Sequence, residues 1–181
     1  DYDEWGNVEL QEINAYGYSN PWTLVHLNFK LMDNEYDSPL ARLRGETSRT
    51  TVTTSDVSGG TKTEQQIIEY TAYDAWGNIE TQDIDTYGYD DSGNPVHLNF
   101  KTMVNGYTSD LDRLKGETSG TTITTHDATG TTEIEQQVIA YSGYDEWSNA
   151  ETQEIDTYGY DANGQKIHLN FKTTNNTYAN K

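Results

Sequence analysis

The stretch YDDSGNPVHLNFK (89–101) joins a turn to a strand, and reading it decides the fold. Asp90, Gly93 and Asn94 are turn residues: Asp and Asn hydrogen-bond their own backbone, and Gly accepts the positive φ that tight hairpins require. Beyond the turn the chain alternates with period two. Val96, Leu98 and Phe100 fall on one face and His97, Asn99 and Lys101 on the other, the pattern of a half-buried strand. The same split recurs at Val25/Leu27/Phe29 and Ile167/Leu169/Phe171. TTVTT (50–54) and TTITT (121–125) are β-branched throughout, and a turn cluster at Gly130 separates the second from TEIEQQVIAY (132–141), completing a hairpin. No stretch shows sustained i, i+3, i+4 apolar spacing with an N-cap and a Gly stop, so no long helix is expected. The expected fold class is all-β.

Outward from this stretch the sequence repeats itself. Trp5, Trp76 and Trp147 are spaced by 71 residues within YDEWGN (2–7), YDAWGN (73–78) and YDEWSN (144–149). His26, His97 and His168 keep the same interval, RLRGETS (42–48) returns as RLKGETS (113–119), and EQQIIEY (64–70) as EQQVIAY (135–141). Without a gap, residues 2–72 and 73–143 agree at 40 of 71 positions. The chain therefore divides into repeat 1 (2–72), repeat 2 (73–143) and a partial repeat 3 (144–181). Within repeat 2, an aromatic or His followed by Asp, two variable residues and Gly occurs at 73, 89 and 126, and the next copy resumes at Tyr144, in steps of 16, 37 and 18. Gly6 with Asn7, Gly77 with Asn78, Gly93 with Asn94, and Gly130 are the expected turn positions, three turns per repeat with further turn or loop structure in the long step. Stacked hairpin repeats of this kind are expected to form an elongated rod or a solenoid-like sheet.

Composition narrows the function. Asp and Glu number 30 against 11 Lys and Arg, a formal charge of -19, and there is no Cys. Disulfide scaffolds, thiol catalysis and cysteine-ligated zinc are excluded. With no Lys/Arg cluster in such a polyanion, nucleic acid is not an expected partner. Apolar runs reach three or four residues, far below the roughly 20 that span a bilayer, so no membrane span is expected and any export signal lies outside this segment.

The YDxxGN units at 2–7, 73–78 and 89–94, with weaker forms at 144–149 and 160–164, resemble the YD repeats of the Rhs and teneurin type. In that family each unit contributes to a β-hairpin, and successive hairpins pair side by side into a long sheet spiralling around an interior. The resemblance implies hairpin stacking on a bacterial secreted or surface protein. The spacing here alternates, the Arg-Tyr that precedes Tyr-Asp in many such repeats is missing, and GYSNPW (17–22) has lost one motif. More loosely, the organisation is similar to that of bacterial fibre and adhesin proteins built from tandem β units.

No residue pattern demands catalysis. His26, His97 and His168 sit in near-identical contexts along the repeats, whereas an enzyme builds one concave site from non-equivalent residues. His126 aligns with Ser55, and no G-x-S-x-G is present. No enzymatic activity and no cofactor are expected. The acidic runs DYDE (1–4), DIDTYGYDD (83–91) and SDLD (109–112) make Ca²⁺ the one metal to weigh, although no EF-hand loop or nonapeptide Ca²⁺ repeat occurs. Trp5, Trp76 and Trp147, with Leu27, Phe29, Leu98, Phe100, Leu169 and Phe171, are expected to anchor the repeats by burying apolar area; a row of exposed Trp that stacks on sugars is the alternative. Thr and Ser residues are candidate O-glycan sites, and Asn175-Asn176-Thr177 is the sole N-glycan match.

These features lead to an extracellular or cell-surface structural protein, a filament, fibre, stalk or biofilm element without catalysis. Its extension would come from covalent continuation into further repeats or from self-association along a fibre axis by strand addition. A carbohydrate- or Ca²⁺-binding adhesin module is the alternative.

Overall fold

The computed structural model describes residues 1–20 and 23–177. The lost turn motif at Pro21 and Trp22, and residues 178–181 of repeat 3, lie outside the described residues. The strands are β1 (Leu10–Asn20), β2 (Thr23–Glu35), β3 (Arg49–Ser55), β4 (Lys62–Tyr73), β5 (Ile79–Tyr89), β6 (Pro95–Gly106), β7 (Gly120–His126), β8 (Glu133–Tyr144), β9 (Ala150–Tyr160) and β10 (Lys166–Asn175). They form one ten-stranded antiparallel sheet in chain order, an open meander with β1 and β10 at its two ends. The helices are α1 (Pro39–Arg44) and α2 (Asp110–Lys115), one turn and a half each. No helix among the described residues is long and apolar enough to cross a membrane.

Two compact units are distinguished: Asp1–Tyr70 with Ile84–Asn99, and Thr71–Asp83 with the chain from Phe100 onward. Their limits cross the sequence repeats, because strands β5 and β6 contribute residues to both.

The turns form as the sequence demands. At 89–94 the Asp90 N–H donates to the Asn94 carbonyl at 3.0 Å and the Gly93 N–H to the Asp90 carbonyl at 2.9 Å, with Gly93 at φ 79°. This is the three-residue hairpin connection that ends on a left-handed residue. The turns at 3–7, 74–78, 145–149 and 161–165 repeat it, with Ser148 at φ 63° standing where Gly6 and Gly77 stand in the earlier copies. The turns after β3 and β7 are one residue longer, since Asp56 and Asp127 donate to Thr61 and Thr132.

The Tyr-Gly-Tyr strands β1 and β9 each meet a bulge. β1 pairs Ala15 with Asn28 and Tyr16 with His26, so Leu27 is the extra residue; Leu169 is extra between β9 and β10. The bulged leucine lies across glycine: a Cβ at Gly17 or Gly159 would come within 3.0 Å of Cδ1 of Leu27 or Leu169. The glycines are there for that close approach.

The interior differs from the sequence expectation. Among the described residues no apolar side chain is buried; the least accessible are Thr50, Ser55, Thr86, Glu117, Thr121 and Thr125. Trp5, Trp76 and Trp147 are 52%, 46% and 62% exposed, Leu27, Leu98, Leu169 and Phe171 are also exposed, and Phe29 and Phe100 are half-buried. The physical reason is that all the strands share one sheet and no further layer among the described residues covers it, so a period-two apolar stripe has nothing to pack against. The Thr-rich strands β3 and β7, flanked on both sides by hydrogen-bonded neighbours, are the better-sheltered ones.

Candidate functional site

The densest polar cluster forms where the Tyr-Asp-x-Trp turns of repeats 1 and 2 each meet the short helix of their own repeat. In the first unit Asp3 Oδ1 accepts the backbone N–H groups of Trp5 (2.9 Å) and Asn7 (2.8 Å), and Oδ2 accepts Asn7 Nδ2 at 2.9 Å. Asn7 Nδ2 also donates to the Arg42 carbonyl at 2.6 Å, a helix-end acceptor that takes the Gly45 cap N–H at 3.1 Å as well. The Arg42 guanidinium returns to the turn, 3.1 Å from Asp3 and 2.6 Å from Glu9, and lies 5.1 Å over the Tyr36 ring.

The second unit reproduces this. Asp74 accepts from Trp76, Asn78 and Asn78 Nδ2, each at 2.9 Å, Asn78 Nδ2 reaches the Arg113 carbonyl at 2.6 Å, and Arg113 bridges Asp74 (3.1 Å) and Glu80 (2.5 Å) over Tyr107 at 5.0 Å. The Asp3 and Asp74 side chains are 6% and 4% exposed. Burial alone would raise these carboxyls, but the bonds from Asn7 or Asn78, from the turn backbone and from the Arg prevail, holding each at about 2. Arg42 and Arg113 are shifted upward, chiefly by Glu9 and Glu80.

A second link binds strand to strand at the same place. Asn34 donates to the Val8 carbonyl at 2.9 Å and accepts the Thr50 hydroxyl at 2.7 Å; Asn105 donates to the Ile79 carbonyl at 2.9 Å and accepts the Thr121 hydroxyl at 2.8 Å. These bonds explain why Thr50 and Thr121 are only 3% and 5% exposed. The next repeat also touches the segment after α2: Tyr144 donates its hydroxyl to the Thr118 carbonyl, and the Ser148 hydroxyl lies 2.9 Å from buried Glu117, which Lys115 approaches at 3.3 Å. Within the second unit, one Tyr-Asp turn thus holds α2 and the next holds the residues that follow it.

Of the residues singled out in the sequence, Asn7 and Asn78 enter this cluster through their side chains, while Gly6, Gly77, Gly93 and Gly130 supply positive φ at turns. Asn94 closes its own turn on Asp90 at 2.9 Å. Trp5, Trp76 and Trp147 join by backbone N–H, their indoles outward-lying. Arg42, Arg113, Glu9 and Glu80 carry the ion pairs and were not singled out. The signal was present as RLRGETS and RLKGETS repeating at the same interval as the Tyr-Asp turns.

The histidines lie elsewhere, each beside the middle Tyr-Gly-Tyr. His26, His97 and His168 stand 5.0, 5.0 and 5.1 Å from the rings of Tyr16, Tyr87 and Tyr158. His97 and His168 approach Asp85 and Asp156 at 2.9 and 2.8 Å; Asn14 stands at the corresponding sequence position in repeat 1, and His26 donates from Nδ1 to the Val57 carbonyl at 3.1 Å. Among the described residues no group of three or more His, Asp and Glu side chains converges as metal ligands. A depression of about 610 Å³ in the first unit is lined by Thr61, Lys62, Thr63, Tyr89, Asp90 and Asp91 with two glycines.

No known protein family model matches this chain, and no curated protein matches it. Among solved structures, a protein with unknown function from Bacteroides fragilis NCTC 9343 aligns over 91% of this chain and 92% of its own length, at 11% identity and a TM-score of 0.41.

Proposed function

We propose that this chain is an extracellular structural protein whose tandem 71-residue units build a filament, fibre or surface stalk, with no catalytic step. The observation that carries the reading is the duplicated Asp–Asn–Arg–Glu cluster: corresponding distances in the two copies agree to about 0.1 Å, and its polar groups are engaged in holding helix to turn. Repetition of one load-holding joint suits a polymer, in which each unit contacts the units before and after it. The strands at the two ends of the order, β1 and β10, each have one flank without a partner strand among the described residues, and an open edge is a template for further strands. The resemblance to YD-repeat proteins supports a cell-surface setting and a rod-like or solenoid-like array.

Negative-stain microscopy of the native material is the test. Elongated particles are expected; compact particles alone would sink the reading. Mass measurement under denaturing conditions separates the two routes of growth. A species near 20 kDa indicates polymerising subunits, and a far larger chain indicates covalent continuation.

The exposed indoles favour one second reading, an adhesin module that stacks sugar rings on Trp5, Trp76 and Trp147. Trp76→Ala would then abolish binding on a glycan array while leaving the circular dichroism spectrum unchanged.

A further inference from the structure

The depression in the first unit is built from residues that the repeats do not share. Gly60, Lys62 and Asp91 line it, and one period later the chain has Thr131, Glu133 and Ala162 instead. Tyr89 is kept, as Tyr160. In the later copy the Glu133 carboxylate bonds the Tyr160 hydroxyl and pushes it up to about 12, so that pair is closed on itself. Lys62 in place of Glu133 removes the acceptor. Among the described residues, the Tyr89 hydroxyl, the Lys62 ammonium and the Asp91 carboxylate have no hydrogen-bond or ion-pair partner. Other polar groups of the rim are already engaged: Asp90 accepts the N–H groups of Ser92 and Asn94, both at 2.9 Å, and the Thr63 hydroxyl donates to the Thr54 carbonyl at 3.2 Å. The volume of about 610 Å³ falls within the roughly 300–1,000 Å³ of small-ligand clefts. Tyr89 is half-buried, so part of its ring stays accessible.

We propose that this depression binds one hexopyranose residue of a neutral glycan, with the sugar's apolar face on Tyr89 and two neighbouring hydroxyls bridging Asp91 and Lys62. The three free groups select that chemistry. An ammonium only donates hydrogen bonds and an ionised carboxylate only accepts them, whereas a hydroxyl does both. A pair of adjacent sugar hydroxyls therefore completes Lys62 and Asp91 together. Tyr89 adds what a pyranose ring needs beneath it, a flat apolar body with a polar tip. Charge discriminates further. An acidic sugar would satisfy Lys62 but set another anion beside Asp90 and Asp91, on a chain of formal charge -19. A cationic ligand would suit the aspartates and meet the Lys62 ammonium. The proposal needs neither the fibre nor the exposed indoles: the site lies where the turns after β3 and β5 flank the start of β4 and the end of β5.

The test is a titration of the amide resonances of the whole 181-residue protein. The probes are neutral tetrasaccharides of glucose, galactose and mannose, with tetragalacturonate as the carboxylated comparison. At least one neutral probe is expected to give saturable shifts, centred on residues 60–63 and 89–93. Lys62→Glu installs the pair that Tyr160 and Glu133 already form, so the fold should tolerate it, and binding should weaken about ten-fold or more. Asp91→Ala, which copies Ala162, should weaken binding in the same direction, while Trp76→Ala should leave affinity unchanged. Absence of saturable binding by every neutral probe overturns the proposal. So does tighter binding of tetragalacturonate than of the galactose tetramer, or unaltered affinity in Lys62→Glu. Loss of binding in Trp76→Ala with affinity kept in Lys62→Glu would transfer the sugar to the indoles and remove this site. Microscopy of particle shape bears on the fibre alone, so the two readings fail separately.

Discussion

Aspartate carries the turns of this molecule one residue at a time. Asp3, Asp56, Asp74, Asp90, Asp127, Asp145 and Asp161 each accept N–H groups from residues two to five positions ahead, and each carboxyl is held below its ordinary range. For Asp127 the Thr129 hydroxyl is the largest cause, bringing it to about 2. A carboxyl depressed in the folded state stabilises the fold fully above the unfolded value of about 3.8; that contribution disappears as pH falls towards 2. Circular dichroism at constant ionic strength should therefore show unfolding between about pH 4 and pH 2, and Asp74→Asn should make the acid dependence shallower. A transition centred near pH 6 would count against the turn carboxylates as its cause. Gly93 offers a cleaner test of backbone: a Cβ there meets nothing within 4 Å, yet φ is 79°. Gly93→Ala should thus cost about 1 kcal/mol in urea unfolding through conformation alone. At this scale the sequence was legible, because Asp, Gly and Asn in fixed order dictate a turn by local bonding that needs no tertiary partner.

Among the elements, the short helices were the ones not anticipated. SPLARLRG (38–45) and SDLDRLKG (109–116) contain an N-capping Ser and a left-handed Gly stop at the right separation, and the chain coils between them for six residues. Their apolar residues, Leu40, Leu43, Leu111 and Leu114, are exposed, so no amphipathic stripe announces them. What holds α2 is its carbonyl end and its arginine, engaged by a turn 35 residues earlier in the chain, and such a long-range polar contact leaves no periodic trace. The strands were legible by alternation, but alternation alone predicted burial that a one-sheet fold does not supply. The sheltered Thr row in β7 leads to a prediction. Thr121→Val removes the hydroxyl that Asn105 accepts and should destabilise by about 1–2 kcal/mol, while Thr122→Val on the opposite face should change stability by less than about 0.5 kcal/mol, both read from urea midpoints.

For the whole molecule, tandem hairpins were expected from the sequence, and the strands form a ten-stranded antiparallel meander in chain order. The limits of the two compact units were not legible, because pairing continues through β5 and β6 without regard to where one sequence copy stops. A formal charge of -19 should oppose contact between copies. If strand addition extends the assembly, raising salt from about 10 to 150 mM should speed it, since the screening length contracts to about 8 Å; light scattering measures the rate, and slower growth in salt would indicate attraction between opposite charges as the driving contact.

The polar interior has a thermal consequence. Chains that withdraw much hydrocarbon from water absorb about 12–15 cal/mol/K per residue more heat once unfolded. Here the most sheltered side chains are threonines and their like, so calorimetry should record a smaller increment and a stability dome that is broad and low in curvature. Cooling towards freezing would then weaken the folded chain little.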